Sequence, residues 1–231
     1  MYQLIEKILY PNLLLELDEM GLKALNALAT QGIINETNWV DIEKLILSVK
    51  NPTIPVSTII SETHLREQAI KHGYQAIIDL VTANVLQVDN VNDIQQLLSY
   101  FPPILGNKTE YAYQAISILA KEGILRRDNI ETIKKFIESI VKNASSSEET
   151  IKTLEVLAQN KVLNLDNLDE IQILFNTLND SLPMNSKQNL MALQDLVKEV
   201  KSEELNENVL SIKLLQIIAG ENKPDCVHAF L

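Results

Sequence analysis

The sequence predicts an all-α protein assembled from repeated pairs of helices. Three observations carry that expectation. Only 6 Gly and 7 Pro stand in 231 residues, too few for the turns of an all-β domain. Four windows of 29 residues, starting at Gly21, Gly73, Ala112 and Thr150, share one set of apolar columns. Within each window those columns recur three and four residues apart, the spacing of one helix face.

The first expected element is a lone helix over 2–10, because Ile5-Glu6-Lys7-Ile8-Leu9 recurs as Ile42-Glu43-Lys44-Leu45-Ile46, 37 residues later. Helix-turn-helix units follow at 12–50, 62–101, 109–142 and 148–179. A degenerate capping unit at 186–219 keeps Leu193, Val197, Asn206 and Leu210, and a flexible tail occupies 220–231. This makes about 11 helices in a single domain spanning 1–219.

Each unit repeats one design. Its first helix carries Leu25, Ile77, Ile116 and Leu154, followed three residues on by Leu28, Leu80, Leu119 and Leu157. Beside them run small columns, Gly21, Gly73, Ala112, Thr150 and Ala24, Ala76, Ala115, Thr153, which let a neighbouring helix approach closely. Gly32, Asn84 and Gly123 suit the left-handed residue that ends the helix, whereas Lys161 predicts strain or a different cap. Asn38, Asn90, Asn129 and Asn167 read as N-caps of the second helix, with Asp41, Asp93, Thr132 and Glu170 three residues further on. That helix buries Ile42, Ile94, Ile133 and Ile171 and the apolar residues three and four beyond. Phe101-Pro102-Pro103 is expected to end it in the second unit. The insertion 51–61, with Pro52 and Pro55, reads as a spacer in the array.

Two helices at a period of 38 to 39 resemble, in period, an α-solenoid of the HEAT or armadillo kind over residues 2–219. That resemblance implies an elongated curved surface for binding other macromolecules.

Composition excludes several functions. With 31 acids against 20 bases the net charge is -11, which repels nucleic acid. One cysteine, Cys226, forms neither an internal disulfide nor a thiolate metal cluster. No membrane span or basic leader is expected, so the natural home is the cytoplasm. Lys outnumbers Arg 17 to 3, beside 27 Ile and 21 Asn, the bias of AT-rich codons, and this suggests a bacterial source. His64 and His72, eight residues apart, sit about 80° apart around a helix and share no metal. No motif for a cofactor, a phosphate loop or a serine nucleophile is present.

Residues that break their columns mark the candidate site. Ile173 stands where other units have Lys44, Gln96 and Lys135; Leu165 and Val88 share a column with Glu36 and Arg127; Leu47 shares one with Ser99, Glu138 and Asn176. Trp39, in a column with Val91, Ile130 and Leu168, is expected in the core or as a staple. Charges balance only in residues 101–150, where Arg126, Arg127, Lys134 and Lys135 make a basic cluster suited to carboxylates. The expected partner surface is therefore Arg126, Arg127, Lys134, Lys135, Leu165 and Ile173. The expected function is a non-enzymatic protein-interaction module, an adaptor or regulator of the type bacteria deliver as effectors into host cytosol. The alternatives are an enzyme using Cys226 and His228, and a self-assembling repeat array.

Overall fold

The computed structural model describes residues 17–52, 62–179 and 183–199. Among them every regular element is helical: α1 (Glu19–Thr30), α2 (Trp39–Lys50), α3 (Glu62–Thr82), α4 (Val91–Leu105), α5 (Thr109–Lys121), α6 (Ile130–Lys142), α7 (Ser147–Gln159), α8 (Leu168–Asn179) and α9 (Pro183–Glu199). The expected helix at 2–10, most of the insertion, the capping unit beyond 199 and the tail with Cys226 and His228 lie outside the described residues.

The chain forms two compact units, residues 1–138 and 139–231, with the division inside α6. In the first unit α1 packs on α3 and α3 on α5, while α2 packs on α4. First helices thus meet first helices, and second helices meet second helices. In the second unit α7 packs on α9, and α8 also meets α9. Each contact buries the apolar columns, including Leu28, Leu80, Ile94 and Leu119 in the first unit and Leu154, Phe175, Leu190 and Leu193 in the second. The columns are buried because their three- and four-residue spacing puts them on one stripe of each helix.

Small residues set how closely the helices approach. Gly73 is buried in α3, and a Cβ built there would lie 2.5 Å from Val49 Cγ1 on α2 and 3.1 Å from the Tyr113 ring on α5. Three helices converge at that point.

The links repeat in detail. Gly32, Asn84, Gly123 and Lys161 all take positive φ, at 69°, 58°, 70° and 61°. The next residue, Ile33, Val85, Ile124 or Val162, donates its N–H to Leu28, Leu80, Leu119 or Leu157, in each case at 2.9 Å. This is the six-residue closure of a Schellman motif. Lys161 therefore makes the same cap as the glycines, and the strain expected of it resides in its backbone.

Asn38 and Asn90 stand at the N-caps of α2 and α4 as expected, without a side-chain capping bond, and the side chains of all four asparagines turn the other way. Each Oδ1 accepts from the backbone N–H three residues earlier, on Asn35, Gln87, Arg126 and Asn164, at 2.8 to 2.9 Å. Each Nδ2 donates to the carbonyl five residues earlier, on Ile33, Val85, Ile124 and Val162, at 2.7 to 2.8 Å. The side chain clamps the link back onto the end of the preceding helix. Among short side chains an amide sets its donor and its acceptor on two separate atoms, whereas the Ser and Thr hydroxyl carries both on one oxygen and the Asp carboxylate only accepts.

Pro102 and Pro103 also depart from expectation, since α4 runs through both to Leu105. Pro102 removes the N–H that would bond the Leu98 carbonyl. The buried Tyr113 hydroxyl donates to that carbonyl instead, at 3.0 Å, so the helix continues without a stranded acceptor there.

Candidate functional site

The predicted cations are exposed or half-buried in the first unit, and the chain itself occupies several of them. Arg127 reaches one link back, where Nη1 donates to Gln87 Oε1 at 2.9 Å and Nη2 pairs with Asp89. The guanidinium holds the Asp89 carboxyl below its ordinary range. Arg126 folds onto its own helix end, with Nε donating to the Gly123 carbonyl at 3.0 Å. Lys134 pairs with Glu131 and stands 4.8 Å from the centre of the Tyr100 ring. Tyr100 in turn donates its hydroxyl to Glu138 Oε2 at 2.5 Å, which raises its pKa. Lys135 is exposed on α6. The structure therefore divides the basic cluster into two sets of contacts, one with the preceding link and one with the preceding second helix.

Sequence reasoning missed Asp89, Gln87, Tyr100 and Glu138 as partners of that cluster. A signal existed, because Asp89 and Arg127, like Tyr100 and Glu138, are 38 residues apart, one repeat period.

The remaining two candidates lie in the second unit. Ile173 on α8 is 64% exposed, as its column break predicts, and Leu165 is half-buried in the short turn before α8. Val88 is exposed in the first unit, and Leu47 is half-buried. Trp39 is half-buried at the start of α2, while Val91, Ile130 and Leu168 of its column are buried.

Val88 and Leu47 each line a cleft in the first unit. One cleft of about 330 Å³ runs between successive links, with Ile33, Leu86 and Val88 beside Gln31, Asn84 and Asp89. The other, of about 360 Å³, runs between α2 and α4 and is lined by Lys44, Leu47, Ser48, Asn51, Gln95, Ser99 and Pro102.

The two described histidines, His64 and His72, do not converge on one site. His64 is exposed on α3, and the half-buried His72 shares a hydrogen bond with Gln114 at 3.1 Å. Burial, and then Lys71, lower the His72 pKa. Among the described residues no three His, Cys, Asp or Glu side chains are placed to hold a metal ion, and no helix is long and apolar enough to cross a membrane.

The second unit carries a buried polar cluster that the sequence did not announce. Glu149 on α7 is buried, accepts from Gln194 Nε2 of α9 at 3.3 Å, and lies 3.4 Å from Lys152 Nζ and 3.8 Å from Lys187 Nζ. Gln194 Nε2 also donates to Thr153 Oγ1 at 3.0 Å. These bonds hold α9 against α7 in one register, the usual role of a satisfied polar network in a helix interface.

No protein-family model, curated protein or solved structure matches the sequence.

Proposed function

We propose that the chain is a non-enzymatic protein-interaction module, an α-solenoid that holds a protein partner along its second helices and links. One observation carries this reading. The link skeleton recurs bond for bond in four repeats, while the exposed column Lys44, Gln96, Lys135 and Ile173 changes from cation to amide to cation to bare hydrocarbon. A repeated frame with unrepeated outward chemistry supports a surface fitted to a particular partner. The net charge of -11 directs that partner class to proteins rather than nucleic acids. In a cell the module would serve as an adaptor or regulator; the Lys, Ile and Asn bias supports a bacterial source, and the proposed setting for such a solenoid is an effector working in host cytosol.

The test is affinity capture with the purified chain, beside a variant carrying Arg126→Glu, Arg127→Glu and Ile173→Asp whose fold is verified by circular dichroism. A partner retained by the wild type and lost by the variant is expected. A partner captured equally by both removes this surface from the proposal. Capture of none, with a turnover that survives in the variant, overturns the non-enzymatic reading.

A further inference from the structure

The cleft between α2 and α4 occupies the place that Tyr100 fills one repeat later. By repeat position, Ser48 corresponds to Tyr100, Gln95 to Lys134 and Ser99 to Glu138. In the later position the Tyr100 ring bridges from α4 to α6, with Lys134 over its face at 4.8 Å and Glu138 accepting its hydroxyl. In the earlier position the bulky ring is replaced by a hydroxymethyl. Ser48 Oγ donates back to the Leu45 carbonyl of its own helix, and Ser99 Oγ donates back to the Gln95 carbonyl. Neither spans from α2 to α4 as Tyr100 spans from α4 to α6.

What remains is about 360 Å³ of open space with apolar walls from Leu47 and Pro102. That lies at the small end of ligand clefts and is ample for one aromatic ring. Among the described residues its polar lining is the Gln95 and Asn51 amides, the Ser48 and Ser99 hydroxyls and the Lys44 ammonium, with no carboxylate. Lys44 is exposed and only loosely held by Asp41 at 3.4 Å, and Arg66 Nη2 donates to Asn51 at the cleft edge at 3.3 Å. Against the net charge of the whole chain, the Lys44 ammonium and the Arg66 guanidinium make this edge locally suited to an anionic visitor.

We propose that this cleft takes an aromatic side chain from an acidic segment of the partner protein. The ring occupies the position of Tyr100 in the next repeat, against Leu47 and Pro102, and flanking carboxylates meet Lys44 and Arg66. The inference rests on the interaction reading above and names the chemistry that reading leaves open. The residues of the insertion beyond Pro52, TIPVSTIIS, contain no aromatic side chain, which directs the search for the ring elsewhere.

The probes are three peptides, Glu-Glu-Tyr-Glu-Glu, Glu-Glu-Ala-Glu-Glu and Lys-Lys-Tyr-Lys-Lys, titrated into the ¹⁵N-labelled full chain at low salt. The first is expected to bind at least about tenfold more tightly than either control, since both the ring and the charge contribute. Its amide shifts are expected at Leu47, Ser48 and Ser99. Ser48→Tyr, which supplies the missing ring, is expected to weaken binding by about tenfold or more. Ser99→Glu, a smaller change, does the same by repulsion and keeps the test available should the first variant fail to fold. Equal binding of the three peptides, binding of none, or shifts elsewhere overturns the assignment. Concentration-dependent dimers lost in Ser48→Tyr would give the cleft to a second copy. Tighter peptide binding by Tyr2→Ala/Tyr10→Ala would give it to the chain's own N-terminal segment. Either result also overturns the partner assignment. The broader reading fails separately, when capture finds no partner at all.

Discussion

The same pair of small columns meets a neighbouring first helix in both units, and the two interfaces are built on different chemistry. Between α3 and α5 the columns are Gly73, Ala76, Ala112 and Ala115, and close apolar approach does the work. Between α7 and α9 they are Thr150 and Thr153, both buried, beside Glu149, Gln194 and Lys187. The apolar interface draws its stability from area removed from water and tolerates no added volume. The polar one gains less from burial, because each group must first be desolvated, and it depends on every partner being present. Geometry is thus fixed by volume in the first unit and by hydrogen-bond direction in the second.

The link clamp is common to both units, so breaking it measures what they share. Asn90→Asp keeps the acceptor for the Gln87 N–H but sets a carboxylate oxygen against the Val85 carbonyl in a buried site. A loss of about 3 kcal/mol is expected from urea unfolding, the cost of an unsatisfied carbonyl joined to a poorly solvated charge. Asn167→Asp in the second unit makes the same change where the side chain is half-buried, and about half that loss is expected. Hydrogen exchange should place each loss at its own link. Equal losses would mean that solvent access does not govern the clamp.

A second pair of variants should reverse sign between the units. Gly73→Ala drives a methyl to 2.5 Å from Val49 Cγ1, and a net destabilisation of about 2 kcal/mol is expected after the roughly 1 kcal/mol gained in helix propensity. Thr150→Val removes a buried hydroxyl that has no hydrogen-bond partner while preserving shape, and about 1 kcal/mol of stabilisation is expected. Thermal unfolding of both checks the contrast. Destabilisation by Thr150→Val would show that its hydroxyl belongs to the polar network after all.

The buried columns and the left-handed helix ends were legible because period and residue type decide them locally. The asparagine column was legible as the N-cap position, and the direction of its side-chain bonds was misread. An Asn before a helix suits either role, and only the path of the link brings the carbonyl five residues back within reach of its amide. Pro102 was misread because the group that relieves it, the Tyr113 hydroxyl, belongs to the next helix. The basic cluster was found and its neutralisation was missed. Arg127 and Lys134 meet Asp89 and Tyr100 in the preceding repeat, so adding charges along a segment counts as free what packing has paired. The period pairs Ser48 with Tyr100 in the sequence, and only the structure shows the cleft that opens beside the serine.

The helix ends offer the finest comparison, because one geometry recurs there with three residue types. A side chain in the left-handed region places Cβ against the following carbonyl at about 1 to 2 kcal/mol, which glycine avoids. At Gly123 a Cβ would meet nothing within 4 Å, so Gly123→Ala should report that backbone cost alone, about 1 kcal/mol of destabilisation. Lys161 takes φ of 61° and makes the same 2.9 Å closure through Val162, so it already bears that cost. Lys161→Gly should therefore recover up to about 1 kcal/mol of backbone cost in the second unit, less what the interactions of Lys161 contribute and what glycine adds to the freedom of the unfolded chain. Differential scanning calorimetry of the two variants would show shifts of opposite sign. If Gly123→Ala destabilises while Lys161→Gly changes nothing, then the Lys161 side chain offsets what its backbone loses. The second unit would then rely on a polar contact at its helix end, as it already does between α7 and α9.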